Sequence, residues 1–260
     1  MSKNKLKYSN NRKICDDTND TILIVSSDSD NISNFFFTEY ITLLTCEQHN
    51  FYRFLKQNYI YEIYGNLLTT NDMERLLPNK WLNDKIINTY FDLLKSKFPN
   101  YYFVSTFFIS SLLKNKRQHD IINKELLSKW EQSNGCIIPV HLGIHWCLFY
   151  FNIPILYVFD SLGTIDYSKV YLFKTILEKI SNRSIVIKPL TTLKRNIPLQ
   201  TNGNDCGVFI CMYAKGIVLN NRFYKGNMDI YRKRIFHELL AKKIIYGNDE
   251  SYELFLNPLE

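Results

Sequence analysis

Two adjoining apolar runs, His145–Phe151 and Ile155–Phe159, are too short for helices and rich in aromatic and β-branched residues, so they predict strands. Cys136–Val140 and Ile185–Ile187 carry the same signal. Elsewhere apolar positions recur every three or four residues. Ile86, Ile87, Tyr90, Phe91 and Leu94 predict a helix capped by Asn83 or Asp84 and stopped at Pro99 and Asn100. Before it, Asn71 with Glu74 predicts a capping box on a short helix that Pro78 and Asn79 end. Tyr101–Leu113 reads as strand and helix, and Ile121–Trp130 as a short helix. Tyr167–Ile180 predicts a helix between the last two strands, and Asp229 is expected to cap another that runs through Leu240. Strands grouped in sequence, with helices set apart, predict an α+β fold and argue against a doubly wound one.

Residues 1 to 33 are rich in Asn, Asp, Ser and Lys, with one apolar island, Ile22-Leu23-Ile24-Val25. Asp16, Asp17 and Asp20 precede it, and the island with its acidic tail spans 22–30. Four β-formers between acids can add as a strand to a partner's sheet edge, or serve as an edge strand of the chain's own sheet. Residues 34 to 64 are aromatic-rich and expected to be partly helical. The expected organisation is an extension over 1–64 and a catalytic domain over 65–260.

The stretch Ile197–Ala214 is the chemical centre. A polar, turn-forming run from Gln200 to Asp205 stops at Cys206-Gly207 and gives way to an apolar block that predicts a buried helix. Cys206 then sits at a helix N-terminus, where unpaired N–H groups and the dipole favour a thiolate. Gly207 leaves room for a close approach, and Gln200 is placed to donate its amide beside the sulfur. Most free cysteines are simply small buried hydrophobes, so a nucleophile requires a base within reach.

The two central strands supply that base. In an antiparallel hairpin, facing residues share one index sum. His145 with Asp160 and Tyr150 with Ile155 share one, so a four-residue turn from Phe151 to Pro154 sets imidazole opposite carboxylate. One residue more or less in the turn would send them to opposite faces. Asp160 then orients His145 towards Cys206. His141, just before Gly143, and Asp166, past the Gly163 turn, are the rival positions. Trp146 beside the base and Trp81 before a polar cap are large rigid walls suited to a narrow slot that admits a glycine-rich chain end, unless they pack in the core.

Composition narrows the class. Six cysteines form no C-x-x-C pair and no paired Cys/His spacing, so neither a zinc site nor a disulfide framework is expected, and no cofactor is implied. Reduced thiols suit the cytosol or nucleus. The N-terminus has charge but no apolar core of a signal peptide. Pro139, Pro154, His141 and His145 interrupt the apolar stretch 137–159, which argues against a membrane span. The formal charge of +7 is spread among acids and reads as a solvated surface, with no nucleic-acid partner expected and a monomer assumed.

WLND at 81–84, HW at 145–146, DSL at 160–162 and PLQTNGNDCGVF at 198–209 together closely resemble the ubiquitin-like-protein-specific cysteine proteases, the SUMO (sentrin) proteases. The similarity runs from about Leu67 to the helix at 227–239. It implies a papain-like α+β fold with a central, mostly antiparallel sheet and the nucleophile at the start of a buried helix. It implies His145 as base, Asp160 as orienter, Cys206 as nucleophile and Gln200 as oxyanion donor. Trp81 and Trp146 would clamp the Gly-Gly tail of the modifier, and Asp84 would meet a basic residue on its globular body. Leu199 stands where the family often has Gln, and the stretch between His145 and Asp160 is shorter than usual. The island at 22–30 resembles a SUMO-interacting motif. The same chemistry on another ubiquitin-like modifier, a transacylase with the same triad, and a silent SUMO-binding module are the competing readings.

Overall fold

The computed structural model describes residues 23–25, 59–114, 124–190, 197–220 and 223–245. Its central feature is a five-stranded sheet ordered β4-β5-β6-β7-β8. The strands are β4 (Tyr102–Phe103), β5 (Cys136–His141), β6 (Trp146–Asn152), β7 (Ile155–Phe159) and β8 (Val186–Pro189). The three middle strands are antiparallel, but both outer pairings, β4 with β5 and β7 with β8, are parallel. The expected mostly antiparallel sheet is therefore a mixed one. The reason lies in the connections: β5–β6 and β6–β7 are joined by tight turns, whereas parallel neighbours need a long crossover. Helix α5 (Tyr167–Ser181) supplies it between β7 and β8; α3 (Phe107–Lys114) and α4 (Lys124–Glu131) lie between β4 and β5.

Both faces of the sheet are covered, which is why β6 is an almost unbroken apolar run. On one face Phe149, Phe151, Leu156 and Val158 pack with Val170, Phe173, Ile176 and Leu177 of α5. On the other, Leu148, Tyr150, Tyr157 and Phe159 meet α6 (Cys206–Leu219). Residues Cys206 to Val218 of α6 are all buried. A helix apolar on every side belongs in the middle of a protein. It is enclosed by the sheet, by α2 (Asp84–Lys97) and by α7 (Met228–Ala241). Each fully buried Leu, Ile or Phe contributes about 1.5–3 kcal/mol.

Of three expected helix starts, one falls on an expected cap and two lie two residues earlier. Asn83 caps α2 by accepting from the Ile86 N–H at 3.0 Å, so Asn83 is the cap and Asp84 the first helical residue. The capping box belongs to Thr69 and Asp72 on α1 (Thr70–Met73), not to Asn71 and Glu74; Glu74 opens a following 3-10 turn, Glu74–Leu76. Asn227, two positions before Asp229, caps α7. At α1 and α7 the residue two positions earlier has the extended backbone that a cap requires, as Asn83 has at α2.

A second sheet joins β1 (Leu23–Val25), β2 (Tyr59–Ile63) and β3 (Asn66–Thr69). β2 and β3 form an antiparallel hairpin whose Tyr61, Ile63 and Leu68 enter the same core as α2 and α6. The folded unit thus reaches back to residue 59, across the expected boundary at 64/65. β1 pairs in parallel with β2, Leu23 opposite Tyr59 and Val25 opposite Tyr61. Leu23, Ile24 and Val25 are therefore an edge strand of the chain's own sheet, the second of the two readings of that island. Ile22, residues 26–30 and the stretch 34–58 lie outside the described residues.

Candidate active site

The β6–β7 hairpin carries the predicted base and its orienter. Its register pairs Leu148 with Phe159 and Asn152 with Ile155, leaving a two-residue turn, Ile153 and Pro154. The expected four-residue turn is corrected by two, because the pairing continues through Phe151 and Asn152. A shift of two preserves the face. His145 and Asp160 therefore meet diagonally across the hairpin, and continuing the register places Cys147 directly opposite Asp160.

His145 Nε2 lies 2.6 Å from Asp160 Oδ1, with both side chains buried. Asp160 also accepts from the backbone N–H groups of Leu162 at 2.9 Å and Ile165 at 2.7 Å. Burial on its own would raise the carboxyl, but His145 and these two N–H donors prevail and hold it below its ordinary range. For His145, burial favours the neutral ring. The bond to Asp160, aided by the Cys147 and Cys206 thiols, overrides this and lifts the imidazole well above its usual value. Its other nitrogen, Nδ1, is buried without a hydrogen-bond partner among the described residues. With Nε2 held, Nδ1 is the nitrogen left for Cys206.

Cys206 opens α6, as predicted, and is buried. Asp205 holds the cap position but makes no side-chain cap bond. Its carboxylate is engaged instead by Arg232, whose Nη2 and Nε donate at 2.6 and 3.0 Å, and by Asn202 at 2.7 Å. Asp205 thus gives the first-turn amides of α6 no side-chain cap beside Cys206. Gly207 makes a close approach possible, but Leu82 occupies the space: a Cβ there would come within 2.8 Å of the Leu82 Cβ. Leu82 follows Trp81, so the start of α6 packs directly on the segment bearing that tryptophan.

Gln200 is buried and fixed at both ends of its amide. Ser161 Oγ donates to Oε1 at 2.6 Å, Nε2 donates to the Asn202 carbonyl at 2.6 Å, and the Gln200 N–H donates to the Ser161 carbonyl at 3.0 Å. Trp81 is half exposed, which removes it from the core. Trp146 is buried, with its ring tilted against that of His141 at a 4.3 Å centroid separation. Half-buried Asp84 is near enough to favour the charged form of His141, although burial of that ring wins and lowers its pKa. The structure thus gathers Asp84, His141 and Trp146 on one side of the site. Of the rival positions, His141 belongs to this wall, and Asp166 caps α5 by accepting from the Ser168 N–H at 3.0 Å.

Three contributors escaped the sequence reading. Ser161 was visible only as part of DSL, and its hold on Gln200 depends on a loop meeting. Cys147 could have been found from the alternation that found Asp160, since it is two residues from His145 on one strand. Arg232 had no local signal. Fully buried, it donates to the carbonyls of Arg75, Leu77, Lys80 and Asn204 as well as to Asp205, tying the loop before Trp81 to the residue before Cys206.

Comparison with known proteins follows the same lines. The chain is 30% identical over 201 residues to a sentrin-specific protease of Caenorhabditis elegans, covering 67% of this chain and 27% of that protein. It is 30% identical over 215 residues to human sentrin-specific protease 5, covering 75% of this chain and 27% of that one. The chain thus matches about a quarter of the length of these relatives. Among solved structures it is similar to the catalytic domain of a Chaetomium thermophilum Ulp1-like SUMO protease, with a TM-score of 0.58, 20% identity, and coverage of 86% of this chain and 93% of that one. The Ulp1 protease domain in complex with Smt3, the yeast ortholog of SUMO, gives a TM-score of 0.58 at 18% identity, covering 82% of this chain and 96% of that one. These likenesses show the papain-like α+β fold. Residues 80–244, which include every catalytic position predicted above, match the Ulp1 protease family, C-terminal catalytic domain, and the chain belongs to that family.

Proposed function

We propose that the chain is a cysteine protease that cleaves after the C-terminal Gly-Gly of SUMO, releasing the modifier from a target lysine or trimming its precursor. The observation that carries this reading is the 2.6 Å His145–Asp160 pair with Cys206 interacting with the same imidazole at the mouth of a buried helix. The Cys206 sulfur attacks the carbonyl carbon of the terminal glycine while His145 takes up its proton. His145 then gives a proton to the departing amine, leaving a thioester that water hydrolyses. Asp160 fixes the ring and stabilises its charged form.

Gln200, locked by Ser161 and Asn202, has a second Nε2 proton to offer the oxyanion, beside the first-turn amides of α6. Half-exposed Trp81 and buried Trp146 wall a channel suited to residues without side chains, and Asp84 presents a carboxylate to the body of the modifier. The sentrin proteases it resembles support SUMO as that modifier.

The test is a panel of ubiquitin-like modifiers carrying a C-terminal electrophile. Labelling of Cys206 by SUMO and not by ubiquitin or its other relatives is expected; selective labelling by another modifier would reassign the substrate. Cys206→Ala should abolish cleavage and retain modifier binding, and cleavage by that variant would overturn the nucleophile assignment. Binding without cleavage by the wild-type chain would leave only a SUMO-binding module.

A further inference from the structure

The reaction proposed above makes no use of Cys147. This thiol is fully buried on β6, on the strand face of His145 and opposite Asp160. One imidazole nitrogen of His145, the Cys147 sulfur and one carboxylate oxygen of Asp160 all lie within 4.8 Å of one another. We propose that His145, Cys147 and Asp160 double as an inhibitory site for a thiophilic divalent cation of the Zn2+ type, which reversibly silences the enzyme by capturing its base rather than its nucleophile.

The donor set fits. Zn2+ takes mixed nitrogen, sulfur and oxygen ligands, and three protein groups leave its fourth position to water. A thiolate selects Zn2+ over Mg2+ and Ca2+, which prefer oxygen alone. The charges also balance: one thiolate and one carboxylate neutralise a divalent ion, so the complex brings no net charge into a buried place. All three side chains are nine-tenths or more buried, and Asp160 keeps the Leu162 and Ile165 N–H donors as outer partners.

Binding would release the Cys147 proton and any proton on the imidazole, so affinity rises with pH. The inhibition follows from proton accounting. A neutral imidazole that binds metal through Nε2 carries its proton on Nδ1, the nitrogen left for Cys206. Such a ring cannot accept the Cys206 proton, and Asp160 no longer orients it. The competing reading is that Cys147 is only a small buried hydrophobe.

The proposal deepens the protease reading, but its test does not depend on that reading. Co2+ is titrated into the full chain and followed by its thiolate charge-transfer absorption, with Zn2+ as competitor. The expected result is one thiolate band that persists in Cys206→Ala and disappears in Cys147→Ala and in the volume-conserving Cys147→Ser. In the hydrolysis of a modifier amide, Zn2+ should inhibit and a chelator should restore the rate. Each Cys147 variant, measured against its own uninhibited rate, should need roughly tenfold more Zn2+ or higher for the same fractional inhibition, a scale reached even when an outer partner is lost. A band that follows Cys206, or unchanged Zn2+ sensitivity in both Cys147 variants, would overturn the proposal. A chain that shows the Cys147 band but hydrolyses no modifier would overturn the protease reading and leave the metal site standing.

Discussion

Helix α6 carries two buried clusters, each built on a carboxylate paired with a nitrogen base, that differ in what they leave undone. At its start, Cys206 interacts with the His145–Asp160 pair. Two and a half turns on, Lys215 is buried against Glu238 of α7. Lys215 also donates to the Ile245 carbonyl at 2.9 Å. Glu238 accepts from the Tyr90 hydroxyl at 2.6 Å and the Ile245 N–H at 2.8 Å. Every carboxylate oxygen of that second cluster has a partner. In the first, the imidazole keeps a buried nitrogen with none among the described residues. A satisfied buried pair holds elements together, whereas a pair with an orphaned nitrogen is unfinished until a substrate or another ligand arrives.

Exchanging one group in each cluster should separate the two roles. Asp160→Asn keeps the shape and removes the charge that orients and supports His145. Its expected cost is about 10⁴-fold in kcat, the scale set by the orienting carboxylate of serine-protease triads. Lys215→Met should leave kcat for the folded enzyme unchanged and destabilise the chain by about 3–5 kcal/mol, because Glu238 stays buried without its cation. Steady-state kinetics and urea unfolding of both variants measure the separation. If Lys215→Met lowered kcat as steeply as Asp160→Asn, the contrast between scaffold and site would collapse.

The two clusters also differ in how far the sequence exposed them. That His145 and Asp160 share a face depends only on parity along a hairpin, so it survived a two-residue error in the turn. The turn length itself was hidden, because Asn152 is a common turn residue and no local pattern fixes where the pairing stops. Helix ends slipped for a similar reason: Thr69, Asn71 and Asp72 are all cap-forming residues, and the backbone chose among them. Lys215 and Glu238 lie 23 positions apart on separate helices, and no local pattern marks them as partners. Arg232 is the extreme case, with carbonyl partners 152 to 157 residues earlier in the chain. Periodicity reports faces, while charges committed to distant backbone groups appear only once the layers are assembled.

The smallest expected effect is also the most diagnostic, because the clusters answer pH with opposite signs. Folded His145 binds its proton more tightly than the unfolded chain does. Its contribution is complete below the ordinary value of 6.5 and is lost as pH rises towards the folded value. Asp160 contributes fully above its ordinary 3.8 and loses that contribution as pH falls through its depressed folded value. Lys215 is the reverse of His145: burial lowers its pKa from 10.5, so the unfolded chain holds that proton more tightly and stability gains as pH rises towards 10.5. Each single proton sets a slope of at most about 1.4 kcal/mol per pH unit. In urea unfolding, the deficit of His145→Gln relative to wild type should be largest between about pH 4 and 6.5 and should shrink at higher pH. The deficit of Lys215→Met should not shrink over the same rise. Parallel pH curves for the two variants would mean that the orphaned nitrogen of His145 does not distinguish its cluster from the satisfied one.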